Sequence, residues 1–346
     1  MEPAIRIENL TKIFYKNKVF KKEETRAVVD LSLEVQPGEV FGFLGPNGAG
    51  KSTTIKVLMR ILFPTSGKAW ILGREISDPE ARRSVGFLPE NPYFYDYLTA
   101  EEFLWLNGRL YGLGGDNLKT RINYLLDFVG LQDHAKTRLR KFSKGMLQRI
   151  GLAQALINDP ELVILDEPTS GLDPLGRRMV LDLIRKLKEQ GKTVFFSTHI
   201  LPDVEAVSDS VAIIIQGKLR KTGKLSELLE TSDRYRVRFM KVADEKILKR
   251  IEHIANTTVQ HSEDVYMAEV SARSLYNVID LIRLGKGRLL TVEPHRRTLE
   301  ELFLEEVEVM ERTTEEQETV ETQVETSVET EETVEQQQKQ EEDVQS

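Results

Sequence analysis

Short apolar runs alternate with stretches of helical spacing over the first 224 residues, a pattern that predicts an α/β domain. Val40–Leu44 is apolar without alternation, as expected of a strand covered on both faces of a sheet. Leu162–Leu165 and Val194–Phe196 have the same character. The clearest helix is predicted over 174–190. Asp173 suits its cap, Pro174 its first turn and Gly191 its end, while Val180, Leu183, Ile184 and Leu187 form an apolar stripe.

The pattern changes after Gly223. Tyr235, Val237 and Phe239 alternate with Arg234, Arg236 and Arg238, which predicts a half-buried strand. Helical spacing near 244–255 and 274–284 flanks a strand-like run at 265–270, and Arg288–Val292 reads as a third strand. Thr298 and Glu301 form a capping box before a helix over Leu299–Val309. A small α+β domain is therefore expected over 225–310, behind the α/β domain of 1–224. From 311 the quasi-repeat ETVETQVETSVETEETVEQQQ has little but isolated valines to bury, and a helix would bring Glu321, Glu325 and Glu329 to repelling i,i+4 positions. Residues 311–346 are expected to be a disordered acidic tail. Its composition suits a solubilising segment, with docking to a partner as the alternative.

Charge sharpens this division. The chain carries a net −8, of which 311–346 contributes −11, so residues 1–310 carry +3. That nearly neutral body lacks the basic footprint of nucleic-acid binding, and no nucleic-acid partner is expected. No run approaches eighteen uninterrupted apolar residues, so no membrane-spanning helix is expected. The N-terminal MEPAIRIENLTK lacks the features of a secretory signal, and the absence of cysteine excludes disulfides and thiolate metal sites. A cytoplasmic location follows as the expectation.

The chemistry concentrates first in GPNGAGKST, which comprises Gly45, Pro46, Asn47, Gly48, Ala49, Gly50, Lys51, Ser52 and Thr53. It follows the strand Val40–Leu44 and enters a helix predicted over Thr53–Leu62, the context a P-loop requires. Glycines let successive N–H groups turn inward on phosphate oxygens, and the helix N-terminus adds its positive dipole end. Lys51 is expected to reach the β- and γ-phosphates and the Ser52 hydroxyl to ligate Mg²⁺. In LVILDEP, Asp166 and Glu167 lie at the C-terminal end of a buried strand, where ligands collect in parallel α/β sheets. Asp166 suits magnesium binding, and Glu167 suits polarisation of a water attacking the γ-phosphorus.

The third element, FSKGMLQR over Phe142–Arg149, lies some two dozen residues ahead of Asp166. With it the sequence resembles the ABC ATPase family over nearly all of residues 4–224. The resemblance implies a P-loop NTPase fold of the ABC nucleotide-binding type, ATP and Mg²⁺ as ligands, and ATP hydrolysis as the activity. In that family this segment is the signature motif, binding the γ-phosphate of ATP held by the facing subunit. Ser143 and Gly145 match its serine and second glycine, whereas Lys144 and Met146 depart from its first glycine and glutamine. Lys144 either adds positive charge near the triphosphate or is solvated. SGLDP, Ser170–Pro174, resembles the D-loop, with Asp173 as its aspartate, and His199 resembles the switch histidine that contacts the γ-phosphate and the attacking water. Phe14 or Tyr15 resembles the aromatic stacked on adenine, and Phe14 is better placed relative to Leu10-Thr11-Lys12. Either also suits the core face of an alternating strand. VGFLPE, Val85–Glu90, occupies the Q-loop position, where the family usually has glutamine; Glu90 retains the ability to ligate magnesium but adds negative charge.

The resemblance further implies a head-to-tail homodimer or heterodimer around two Mg-ATP, attached to a separate integral membrane permease at the cytoplasmic face. The FLPE and SKGM forms and the terminal RTLEELFLE resemble single-cassette subunits often used for export. Lys16–Arg26 reads as a solvated hairpin tip, with approach to an anionic leaflet as the alternative. A soluble ABC ATPase acting on nucleic acid or protein is the competing reading. A single P-loop, and only about 115 residues between Gly50 and Asp166, leave no room for its tandem-cassette or long coiled-coil forms. A P-loop small-molecule kinase would leave SKGM, SGLDP and His199 unexplained together.

Overall fold

A computed structural model of the chain describes residues 2–18, 21–229, 231–240, 245–255, 260–262 and 265–310. It divides into two compact units, Met1–Leu299 and Glu300–Ser346.

The first unit opens with β1 (Ile5–Lys18), β2 (Lys21–Val35), β3 (Val40–Leu44), α1 (Lys51–Leu58), β4 (Ser66–Ile71), β5 (Arg74–Glu75) and β6 (Val85–Leu88). Helices α2 (Ala100–Leu110), α3 (Gly115–Phe128) and α4 (Lys144–Ala155) follow. Then come β7 (Leu162–Asp166), α5 (Pro174–Glu189), β8 (Thr193–Thr198), α6 (Leu201–Val207), β9 (Ser210–Ile215), β10 (Lys218–Lys224) and α7 (Leu225–Leu228). The last part contains β11 (Thr231–Met240), α8 (Glu245–Ala255), β12 (Gln260–Ser262), β13 (Val265–Ser271), α9 (Leu275–Leu284) and β14 (Arg288–Arg296).

The central sheet runs β10-β9-β3-β8-β7-β6, parallel except for the edge strand β10. Every residue of β3, β7, β8 and β9 is buried, which accounts for the apolar runs at their centres. An antiparallel sheet, β2-β1-β4-β5, shares a core with it. Ile5, Ile7, Leu31 and Val35 of that sheet join Phe41, Phe43, Ile164 and Phe195 of the central one, and Phe41 stacks on Phe195 at 5.7 Å. In the Lys16–Arg26 region β1 and β2 pair down to Lys18↔Lys21; residues 19 and 20 lie outside the described residues.

Helix α5 matches its predicted span: the Asp173 Oδ1 accepts from the Gly176 N–H at 2.8 Å, and Gly191 lies just beyond at φ +77°. Helix α1 starts earlier and stops earlier than its spacing suggests, because Arg60 adopts φ +57° and ends the helical run.

Strands β12-β13-β11-β14 form a separate antiparallel sheet. Val237 and Phe239 of β11 are fully buried with Ile251, Ala268, Val270, Val278 and Ile282, as the arginine alternation predicts. Of the second unit, residues 300–310 are helical. The acidic tail, 311–346, lies outside the described residues. Among the described residues no helix is long and apolar enough to cross a membrane.

Candidate active site

Three strand ends of the central sheet bring the motif residues together. The loop after β3 turns through Gly48 at φ +80° and Gly50 at φ +101°, a region where only glycine is unstrained. Gly50 caps α1, whose first turn holds no acidic residue and whose start has no side-chain cap, so its amides and dipole face the cleft. Ala27, Asn47, Gly48, Ala49, Gly50, Lys51, Ser52 and Thr53 line this cleft with Glu90 and Glu167.

Lys51 is buried at the cleft floor. Its Nζ donates to the carbonyl oxygens of Gly45 at 2.7 Å and Pro46 at 3.1 Å, and pairs with Glu167 Oε1 at 3.1 Å. Ser52 Oγ donates to Asp166 Oδ1 at 3.0 Å, and Ser197 Oγ donates to the same oxygen at 2.6 Å. Burial pushes the Asp166 carboxyl above its ordinary range; the hydroxyls of Ser197 and Ser52 oppose this, and the neighbouring Glu167 reinforces it.

Glu167 adopts φ +50°, a conformation costing a non-glycine residue about 1–2 kcal/mol. Its N–H is held by the Ser197 carbonyl at 3.2 Å and the Ser197 Oγ at 3.0 Å, which fixes the turn and aims the carboxylate back into the cleft. There Glu167 Oε2 meets His199 Nδ1 at 2.9 Å. Lys51, Glu167 and His199, separated by up to 148 positions in the chain, thus form one continuous set of contacts.

Ser143 caps α4, accepting from the Met146 N–H at 3.3 Å. A Cβ at Gly145 would meet nothing within 4 Å, so this chain's own packing gives no reason for a glycine in the first turn of a helix. Lys144 is exposed, and its Nζ lies against Gly171 of SGLDP. Asp173 caps α5 in the same loop. Glu90 is exposed just beyond β6 and lines the cleft. Phe14 and Tyr15 are 39% and 58% exposed, which excludes the core reading for both. The Lys12 ammonium lies 5.0 Å from the Phe14 ring, and Phe14 pairs with Thr25 two positions before Ala27.

The hard oxygen donors Ser52, Asp166 and Glu90 fit a magnesium ion in chemistry, with the buried Asp166 carboxylate beside the Ser52 hydroxyl. Ser197, which organises both carboxylates, was not singled out by sequence reasoning; a polar residue closing the apolar run Val194–Phe196 was its available signal. Ala27 carries no sequence signal at all.

Known proteins match most of the chain. The family model described as ABC transporter matches residues 28–170. An uncharacterized ABC transporter ATP-binding protein of Nostoc sp. is 41% identical over 91% of this chain and 93% of its own length. The bacitracin transport ATP-binding protein BcrA of Bacillus licheniformis is 41% identical over 68% of this chain and 74% of its own. Among solved structures, the dimeric post-hydrolysis state of the ATP-binding cassette MJ0796 bound to ADP and Pi is 26% identical with a TM-score of 0.58, covering 64% of this chain and 98% of that one. On the extent of these matches, the chain belongs to the ABC transporter ATP-binding proteins.

Proposed function

We propose that this chain binds and hydrolyses ATP through the Lys51–Glu167–His199 set and so drives a separate membrane permease at the cytoplasmic face, in the direction of export. The observation that carries the catalytic reading is the strained Glu167 turn, which holds a carboxylate between the P-loop lysine and a histidine. Gly45, Pro46, Asn47, Gly48, Ala49, Gly50, Lys51, Ser52 and Thr53 bind the phosphates, and Phe14 stacks on the adenine. Glu167 accepts the proton of the attacking water, and His199 orients Glu167 and the γ-phosphate. Ser52, Asp166 and Glu90 are the groups that would hold Mg²⁺, which supplies charge neutralisation on the phosphate oxygens.

Ser143, Lys144 and Gly145 face the ATP of a second cassette, identical or not, and Asp173 lies in the same interface. Gly145 supports this: a helix-weakening residue with open space around it suits close approach by another molecule. Such a dimer closes on ATP and separates after hydrolysis, a nucleotide-biased two-state element able to move a permease. The export direction rests on resemblance to the Nod factor export ATP-binding protein I of Cupriavidus metallidurans, 38% identical over 64% of this chain and 74% of its own length. The division into a cassette over 1–224, an accessory domain over 225–310 and an acidic tail belongs to the same proposal.

The test is Glu167→Gln in the full chain. It should bind ATP, release phosphate roughly 10²–10⁴-fold more slowly than the parent, and accumulate as dimer. Purified from detergent-solubilised native membranes, it should bring down one integral membrane protein near equal stoichiometry. Parent-rate phosphate release removes Glu167 from the base role, and a chain recovered without a membrane partner removes the permease.

A further inference from the structure

Asp203 lies on the two-turn helix α6 with its side chain fully buried. A carboxylate withdrawn from water costs several kcal/mol unless donors compensate it, so its partners are informative. Oδ2 accepts from Thr169 Oγ1 at 2.6 Å, and Oδ1 accepts from Arg177 Nε in an ion pair. Thr169 is buried two residues beyond Glu167. Arg177 stands in the first turn of α5, its N–H bonded to the Asp173 carbonyl at 2.9 Å. Asp203 itself follows His199 by four residues, and its N–H bonds to Ile200 O at 3.1 Å.

One carboxylate therefore joins the turn after β7, the entry of α5 and the segment after β8. The entry of α5 has its own cap in Asp173, whereas the turn after β7 and α6 have less to hold them locally. Glu167 and Gly171 sit at φ +50° and +66°, and α6 has seven residues and no side-chain cap. Asp203 does not line the P-loop cleft, so phosphate binding does not account for a buried charge there.

We infer that Asp203 is a positioning residue for hydrolysis: with Thr169 it closes a ring, Glu167–Thr169–Asp203–His199 and back to Glu167, that fixes the carboxylate–histidine pair and, through Arg177, the SGLDP loop. The inference rests on the roles of Glu167 and His199 proposed above. Two links of the ring are chain, and two are the hydrogen bonds Thr169–Asp203 and His199–Glu167. Opening the first frees the second. The glycine loop meets the ring only through the Lys51–Glu167 ion pair, which the substitutions below leave in place, so ATP affinity is not the quantity that changes.

The experiment compares Asp203→Asn, Thr169→Val and Thr169→Ser in the full chain, measuring ATP affinity, phosphate release and thermal unfolding. Asp203→Asn should bind ATP within about twofold of the parent while kcat falls about 10- to 100-fold, the scale of an ångström-sized misplacement. Thr169→Val should lose rate in the same manner, and Thr169→Ser, which keeps the hydroxyl, should keep the parent rate. In a His199→Ala background Asp203→Asn should subtract little further, because the pair it positions is already gone. Parent kcat in both Asp203→Asn and Thr169→Val overturns the inference, as does a loss of kcat matched by an equal loss of ATP-binding stoichiometry, in proportion to unfolded protein. If Asp203→Asn fails to fold, Thr169→Val, which retains the Arg177 ion pair, decides. A parent chain that hydrolyses no ATP defeats the proposed function and this inference together; a hydrolysing parent with unaffected variants defeats only the ring.

Discussion

Substituting alanine at two glycines of the phosphate loop separates backbone conformation from packing. Gly48 and Gly50 both adopt positive φ, +80° and +101°. A Cβ at Gly48 would meet nothing within 4 Å, so Gly48→Ala should lose only the conformational cost, about 1–2 kcal/mol. A Cβ at Gly50 would fall well inside 3.0 Å of the Ala27 carbonyl oxygen, with the Ala27 carbonyl carbon at 3.4 Å and Val28 Cγ2 at 3.5 Å behind it. That obstacle is the backbone of β2, which cannot swing aside as a side-chain tip can. Overpacking of this kind adds about 1–3 kcal/mol, for a total of about 2–5 kcal/mol in Gly50→Ala. At about 2–4 °C per kcal/mol, a midrange excess of 2 kcal/mol places Gly50→Ala about 4–8 °C below Gly48→Ala in thermal unfolding. Because Ala27 also lines the cleft, the same displacement should weaken ATP affinity, measurable by titration below the melting range. Gly50→Ala melting at or above Gly48→Ala would refute the close approach of β2 to the loop.

Asp166→Asn should stabilise the chain in a pH-dependent way. With its pKa raised in the folded state, Asp166 adds stability while protonated, and that stability is lost as pH rises through the folded pKa; the variant should therefore gain over the parent from just above the ordinary value of 3.8 upward and show no gain at lower pH, as unfolding across pH will reveal. Phe239→Ala removes a fully buried ring stacked on Tyr266 at 5.5 Å and should cost about 3–5 kcal/mol. If 225–310 is a domain of its own, hydrogen exchange should rise in β11, β13 and β14 while β3 and α1 stay protected; a uniform rise would argue for one cooperative unit. Glu90→Gln removes a negative charge from the cleft and should change the magnesium concentration at half-maximal phosphate release. An unchanged midpoint would remove Glu90 from the metal site.

Much of the cassette was legible because its signals are local. Glycine spacing, a lysine and a hydroxyl at the entry of α1 are dictated by the sterics of one loop, and uninterrupted apolar runs mark β3, β7 and β8 wherever they pair. Asp173 with Pro174 announces the start of α5 within a few residues, and the alternation over Arg234–Phe239 identifies the buried face of β11. The antiparallel sheet β2-β1-β4-β5 was less accessible, since β4 and β1 meet across about sixty residues and the register shifts between Ile7 and Lys12 leave no clean alternation.

Residue type and short spacing were enough to single out the candidates for phosphate chemistry and the family to which they point. That Ser197 holds both Asp166 and Glu167, that Lys51 and His199 meet on the same carboxylate, and that Asp203 ties their loops together emerges from the assembled sheet. These are contacts between ends of different strands, selected by sheet order and by the need to satisfy buried polar groups, and beyond a polar residue such as Ser197 closing an apolar run neither constraint marks which partners will meet.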